Sequence, residues 1–202
     1  MMKKMLLWVA VAMMTAVNVN AQEGYDDVDH EMAISFGGLS NSQWLDMLEN
    51  TTKAVVGEKF NDNKAQGPFA IEYFYHLNNW LNVGAIFVYG HSNLDVYLGA
   101  VKPENHRGIS KNDYFTLMPS VKANWLRKKN FGLYSKIAVG ASLRAEKTEY
   151  DDGTDPRKNT SIHPNWQLSL VGFEAGSPYL RGFVELGVGE QGVALIGIRY
   201  KF

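Results

Sequence analysis

The sequence predicts an all-β protein, an eight-stranded antiparallel up-and-down transmembrane β-barrel with a cleaved N-terminal signal peptide. Three observations predict this fold class. The 202-residue chain opens with a short apolar segment behind two lysines. Eight later segments alternate apolar with small or charged residues, which is the period of a β-strand. The connections between them alternate between short and long, the pattern of a barrel with two unlike ends.

The first segment has the features of a secretory signal. Two lysines precede the apolar run Met5–Val17, which is too short to span a bilayer, and Val19–Ala21 supplies small residues at a cleavage position. We expect a signal peptide at 1–21 and a single barrel domain at 22–202. An uncleaved membrane anchor is disfavoured because polar residues, Asn18 among them, end the apolar run.

Composition excludes several classes of function. With 20 basic against 21 acidic residues, the chain has no basic excess for binding nucleic acid. It has no cysteine, which excludes a disulfide framework, a thiolate zinc site and a cysteine nucleophile. No apolar run of about 18 residues follows residue 21, so no transmembrane helix is expected. Its 19 glycines and 12% aromatic content suit a barrel of short strands.

The predicted strands cover about 30–38, 68–77, 81–90, 114–126, 131–147, 163–176, 180–188 and 194–202. Pro119 lies within the fourth strand and predicts a bulge, because proline removes a hydrogen-bond donor from the ladder. Glu174 falls on the apolar face of the sixth strand. That misplaced charge predicts a second bulge or a strand end near Gly172.

The last strand separates its two faces most clearly. One face is apolar and carries Ala194, Ile196, Ile198, Tyr200 and Phe202. The other face holds the cations Arg199 and Lys201, because a strand sends alternate side chains to opposite sides. The chain stops on an aromatic residue of the apolar face. We expect the apolar faces of all strands to meet hydrocarbon and the charges to turn into a closed barrel.

The charged residues that alternate with the apolar ones predict a polar interior. They are Glu72, Lys122, Lys136, Arg144, Glu185, Arg199 and Lys201. Side chains just fill the interior of an eight-stranded barrel, so these charges predict an ion-paired plug, with a narrow ion path as the alternative. We expect Glu185 to pair with Arg199 on the neighbouring strand.

Aromatic residues predict two belts, one at each membrane surface. The belt at the end of the short turns holds Tyr75, Trp80, Trp125, Phe131, Tyr179, Tyr200 and Phe202. The belt toward the other end holds Phe36, Phe69, Tyr89, Phe115 and Trp166. A water-soluble barrel would instead bury such residues and leave its charges outside.

The connections at the second end are predicted to be long. They cover about 39–67 and 91–113, with an intermediate one at 148–162. In the first of them, apolar residues at helical spacing predict a short helix within 40–59, with Ser40 at its start. Such a helix would either cover the barrel interior or recognise a partner.

The mature chain resembles the small outer-membrane β-barrel family, the class of outer-membrane proteins A and X. The segment Asn78–Gly84 and the ending from Phe183 to Phe202 are similar to segments that recur in that family. The resemblance implies a place in the bacterial outer membrane, contact with its lipid, and recognition of the Tyr200 and Phe202 end by the barrel-insertion machinery. The fold hosts channels, adhesins, anchors and a few enzymes, so it does not by itself specify an activity.

We therefore expect a non-enzymatic structural or surface-interaction protein that presents extracellular loops. A narrow pore for small solutes or ions is the alternative, and a lipid-modifying hydrolase ranks below it. His91-Ser92-Asn93 resembles the catalytic segment of a lipid A deacylase barrel, but adjacent strand residues point to opposite faces. No acid is evident to orient His91. We predict no catalytic, metal or cofactor site, and the sequence names no extracellular partner.

Overall fold

The computed structural model shows a closed barrel of eight antiparallel strands. It describes residues 28–42, 58–98, 106–151 and 155–202. The expected signal peptide and the predicted helix, apart from a few residues at its ends, lie outside these ranges. Within the described residues, no helix is both long and apolar enough to cross a membrane.

The strands follow one another around the barrel in chain order. They are β1 (His30–Gly38), β2 (Glu58–His76), β3 (Leu81–Leu98), β4 (His106–Arg127), β5 (Phe131–Tyr150), β6 (Arg157–Gly176), β7 (Leu180–Gly189) and β8 (Ala194–Lys201). This confirms the predicted number of strands and their up-and-down order.

Pairing of β1 with β8 closes the sheet. Ile34 of β1 lies opposite Ile71 of β2 on one side and opposite Ile198 of β8 on the other. At the two ends of the barrel sequence, the His30 and Phe202 backbones exchange a pair of N–H to O=C hydrogen bonds, both of 2.9 Å. Closure leaves no free edge at this seam, as backbone in hydrocarbon requires.

β2, β3, β4 and β6 are much longer than the sequence predicts, and β5 is slightly longer. β2 to β6 contain 18 to 22 residues, whereas β1, β7 and β8 contain 8 to 10. The predicted long connections 39–67, 91–113 and 148–162 are therefore wrong in extent, because paired strand continues through much of each. Hydropathy loses its period of two there, while the backbone hydrogen-bond ladder continues.

The bulge predicted at Pro119 is wrong. The β4–β5 pairs on either side of it, Leu117 with Ala141 and Ser120 with Ala138, keep one register. An antiparallel ladder can miss one donor without slipping, since each neighbouring pair is bonded independently.

The second predicted bulge is confirmed in β6. The register with β7 shifts between Ser169 and Val171. Leu170 and Val171 both face outward, with exposed fractions of 49% and 37%. The extra residue reverses the phase of the strand, so Glu174 points into the barrel and is only 2% exposed.

Candidate functional site: the barrel interior and the sheet above the apolar band

Outer side chains of the barrel are apolar, and inner ones are polar. Ile198 and Leu186 are 53% and 58% exposed on the outer wall, whereas Arg199 and Lys136 are 0% and 1% exposed inside. An outer wall of apolar side chains is unfavourable in water and favourable in hydrocarbon. A closed β-barrel is one of the two kinds of structure that can cross a membrane. The chain is a transmembrane β-barrel of the bacterial outer-membrane type.

Aromatic side chains ring the outer wall at both ends of the apolar band. Tyr75, Trp80, Phe131, Tyr179, Tyr200 and Phe202 lie at the end of the short turns, and Phe36, Phe69, Tyr89, Phe115 and Trp166 lie toward the other end. Each of them is between 37% and 54% exposed. These rings mark the two levels at which the barrel meets lipid headgroups.

Ion pairs centred on Glu174 and Arg199 occupy the interior. Glu174 accepts hydrogen bonds from Arg199 Nη1 at 2.5 Å and from Lys201 Nζ. Arg199 also lies 3.3 Å from a carboxylate oxygen of Glu72 and 3.5 Å from one of Glu31. The guanidinium therefore touches carboxylates from three different strands, which ties the wall together from inside.

A second set of pairs is built around two lysines. Lys136 Nζ lies 2.6 Å from Glu72 and 3.0 Å from Glu185. Lys122 Nζ lies 2.7 Å from Glu31. All five side chains are at most 1% exposed. Because every one of these buried charges has an opposite charge within ion-pair distance, the interior is a paired plug.

The ring of Tyr134 lies between the two sets. Lys122 Nζ is 4.3 Å and Arg199 Cζ is 4.7 Å from its centroid, and its hydroxyl donates to Glu185 at 2.6 Å. Gly172 leaves space for this ring, since a Cβ atom there would lie 2.4 Å from Tyr134 Cζ. Both cations lie close enough to the ring centroid for the ring quadrupole to attract them.

Most of the predicted interior residues meet in this network. They are Glu72, Lys122, Lys136, Glu185, Arg199 and Lys201. Arg144 lies apart, near the mouth, where its guanidinium is over the Tyr114 ring and 3.8 Å from Glu146. Glu185 and Arg199 share the interior at 3.9 Å, although Lys136 is the nearer partner of Glu185.

Sequence reasoning missed three members of the network. Glu31 has the inward phase of Ala33, and Arg181 has that of Glu185, so the period of two alone would have found both. Glu174 fell on the apolar face of the regular strand, and although its charge indicated a bulge, only the position of that bulge shows that the side chain points inward. Arg181 Nη1 donates to Glu174 at 2.7 Å and completes the pairing of that carboxylate.

The turn between β7 and β8 reaches into the mouth of the barrel. Glu190 is 1% exposed and accepts hydrogen bonds from Ser42 N at 3.0 Å and Ser42 Oγ at 2.6 Å. Gln191 donates to Glu72 at 2.6 Å. Burial raises the pKa of the Glu190 carboxyl, and the Ser42 hydrogen bonds offset part of that rise. Turn residues show no regular alternation, so no pattern in the sequence predicted that this turn lies in the barrel mouth.

His91 has an acid partner, contrary to the sequence prediction. Its Nδ1 lies 2.8 Å from Asp113 Oδ1, which also accepts the hydroxyl of Tyr89 at 2.8 Å. Ser92 faces the interior and is 3% exposed, so His91 and Ser92 do point to opposite sides of the wall. In the part of the chain that the structure describes, no three acidic or histidine side chains cluster as metal ligands.

Above the belt of aromatic residues at the long-strand end of the barrel, β2 to β6 continue as an open sheet. β1 pairs with β2 only as far as Phe69, and β7 pairs with β6 only from Gln167. About ten further residues per strand reach about 30 Å along the strand direction. Among the described residues, the upper parts of β2 and β6 each have a partner strand on one side only. Within the described ranges, the sheet therefore has two edges, the upper parts of β2 and β6.

The chain matches no protein-family model and no curated protein sequence. Its fold is similar to two crystal structures of Ail, the attachment invasion locus protein of Yersinia pestis. The structure with the heparin analogue sucrose octasulfate has a TM-score of 0.47 at 11% identity, over 86% of this chain and 97% of that chain. The other has a TM-score of 0.42 at 10% identity, with the same coverage. The strand registers and the two faces of the wall are what define the fold here.

Proposed function

We propose that the chain is a non-enzymatic outer-membrane protein that holds a rigid sheet above the cell surface for contact with a partner outside the cell. One observation carries the proposal: five of the eight strands continue well past the apolar band as a paired sheet. A barrel that only needed to cross the membrane would have no use for strands of this length, because about ten residues suffice.

The free edge of β6 is the part of the sheet best suited to binding. Arg157, Lys158, Asn159 and Thr160 are exposed there, and no strand of the described residues pairs with them on the β7 side. Unpaired N–H and C=O groups along an edge can accept an extended segment of another protein. The charged and polar side chains of this edge keep it from pairing indiscriminately.

The interior supports a structural role over the two alternatives. Paired charges and the Glu190 turn occupy the space that a pore would need. For a lipid hydrolase, His91 would have to reach a nucleophile, but Ser92 lies on the other side of the wall. Export through the signal at 1–21 and insertion through the Tyr200 and Phe202 end complete the proposal.

Trimming the sheet without touching the membrane band tests this function. The register places Asn93 opposite Lys111 and Leu143 opposite Ile162, so residues 94–110 and 144–161, which include the β6 edge, can each be replaced by an Asn-Gly turn. Cells that produce the intact chain should adhere to at least one member of a panel of immobilised cell-surface and matrix glycoproteins. Cells that produce the trimmed chain should adhere no more than cells that lack the protein.

The trimmed barrel is a fair comparison only if it is inserted, which heat-modifiable migration of the outer-membrane fraction would establish. Equal adherence of intact and trimmed cells would contradict a role for the sheet. Failure of the intact chain to promote adherence to any member of the panel would count against the surface-contact function as a whole.

A further inference from the structure

Three lysines stand side by side on the outer wall of the sheet. Lys111 of β4 lies opposite Lys147 of β5, and Lys147 lies opposite Lys158 of β6. Residues that face each other across antiparallel strands project from the same side of the sheet. This lysine row (Lys111, Lys147 and Lys158) therefore points outward, on the same face as the apolar band below it.

The row lies just above the band. The last apolar row below it consists of Tyr89, Phe115, Leu143 and Ile162, and the intervening row consists of His91, Asp113, Ala145 and Thr160. Four residues of tilted strand separate the lysines from the aromatic level, which is about 10 Å of height. A lysine side chain can extend toward the membrane from that height, because its apolar stem lies along the wall while its ammonium stays in the polar layer.

The arrangement is unfavourable without an anion. Like charges directly opposite each other across a sheet destabilise it. Glu149 relieves part of this, since its carboxylate lies 3.0 Å from Lys111 Nζ and 2.5 Å from Lys147 Nζ. Hydrogen bonds from Lys147 and Lys111 lower the pKa of Glu149 to about 2. Lys158 has no ion-pair partner among the described residues, and the single negative charge of Glu149 is shared between Lys111 and Lys147, so the row keeps a net positive charge.

Among the outward side chains that the structure describes at this height, the cations lie on β4, β5 and β6. Where β1, β7 and β8 end at the mouth, the outward residues are Gly38, Leu39 and Val193, which carry no charge. A general solubilising surface would spread its charges around the circumference. Cations gathered at one height on one side indicate a specific anionic neighbour.

We propose that the lysine row binds the phosphate groups of lipids in the leaflet that surrounds the barrel. Lipid phosphates are the anions found at this height on this face, and an ammonium group pairs with a phosphate as a point charge. Asp113, one row below, is engaged by His91 and Tyr89 and does not compete for the lysines. The proposal rests on the membrane placement of the barrel.

Spin-label electron paramagnetic resonance measures this preference directly. The full mature chain is folded into phosphatidylcholine vesicles that contain a trace of spin-labelled phosphatidic acid or spin-labelled phosphatidylcholine. The wild-type chain should immobilise phosphatidic acid about two- to fivefold more strongly, since each lysine near an anionic lipid contributes on the order of a fewfold in affinity. The variant K111Q/K147Q/K158Q should lose most of that preference, and E149Q should raise it.

The matched control is K128Q/K129Q, which removes two lysines from the turn at the opposite end of the barrel. Unchanged selectivity in the triple variant, or an equal loss in the control, would overturn the proposal. A wild-type chain with no preference for phosphatidic acid would overturn it too. Heat-modifiable migration of every variant shows whether the barrel is inserted, so failure of the membrane placement itself would be distinguishable from failure of the lysine row.

Discussion

Arg199 illustrates what a fully buried charge needs in this barrel. Its guanidinium contacts Glu174, Glu72 and Glu31, and the ring of Phe183 lies 4.4 Å from Cζ on one side. A guanidinium can make several such contacts at once because its donors lie in a fixed plane. The sequence placed Arg199 on the inner face through the period of two alone. It named Glu185 as a partner, which lies at 3.9 Å, but it missed the closer carboxylates because those depend on register between distant strands.

Replacing Arg199 tests how much the network contributes to stability. Arg199→Met keeps the length of the side chain but leaves three buried carboxylates short of a cation, so the free energy of unfolding should fall by about 3–5 kcal/mol. Equilibrium denaturation of the refolded barrel in detergent micelles measures this. Lys129→Met in an exposed turn is the control and should change stability by about 0.5 kcal/mol or less. A loss as small as that of the control would show that the plug is not held by its ion pairs.

At the scale of the element, β6 shows where sequence reasoning reached its limit. The misplaced charge at Glu174 was enough to predict an irregularity, and the structure has one at Leu170–Val171. The same logic failed at Pro119, where a missing donor left the register intact. A wrong-phase charge must be turned out of hydrocarbon by a shift of the strand, whereas a missing donor demands no shift. A charge that faces hydrocarbon therefore costs more free energy than one missing backbone hydrogen bond, and only the charge predicts a shift of the strand.

Just beyond that bulge, Gly172 leaves the space that the Tyr134 ring occupies. Gly172→Ala should destabilise the barrel by about 1–3 kcal/mol, because the new methyl group would overlap the ring and push its hydroxyl away from Glu185. Gly182→Ala on the neighbouring strand is the matched control, since its nearest atom lies 4.0 Å from the added Cβ. Urea unfolding in micelles compares the two. Equal effects would mean that the two glycines affect stability only through backbone entropy and that the packing of Tyr134 against Gly172 contributes nothing.

The last strand joins closure and assembly in one segment. Phe202 is hydrogen-bonded to His30 through the backbone, and its ring stacks on the His30 ring at 5.6 Å between centroids. Deleting Phe202 should reduce the amount of heat-modifiable barrel in the outer membrane severalfold, whereas deleting Asp151 at an outer turn should not. Quantified immunoblots of outer-membrane fractions measure both. Equal amounts from the two deletions would argue against a special role for the chain end.

For the whole molecule, the period-two alternation was enough to predict strand number, order and the two faces of the wall. It was not enough to predict the height of the sheet. Above the band both faces of β3 and β6 carry polar residues such as Ser92, Asn93 and Asn159, so the hydropathy pattern predicts a loop where the ladder continues. Long-range pairing, which no local pattern encodes, decides that part of the fold.

The paired interior also predicts the electrical behaviour of the molecule. Purified barrel inserted into a planar bilayer should show almost no steady conductance, because Lys136, Arg199 and the carboxylates that they bind occupy the cross-section. Membranes with verified insertion but no open level would agree with this. Long-lived open levels from the wild-type chain would instead favour the pore.

The backbone bonds between His30 and Phe202 have a consequence for chain connectivity. Because both ends of the barrel meet at one rim, a short linker could join residue 202 to residue 28, and new termini could be opened between β3 and β4. Such a circular permutant would keep every strand neighbour while the final aromatic became an internal residue. Insertion of this permutant into the outer membrane would show that Phe202 acts mainly through its contacts in the barrel wall. Loss of insertion would show that it acts as a chain-terminal signal for membrane insertion.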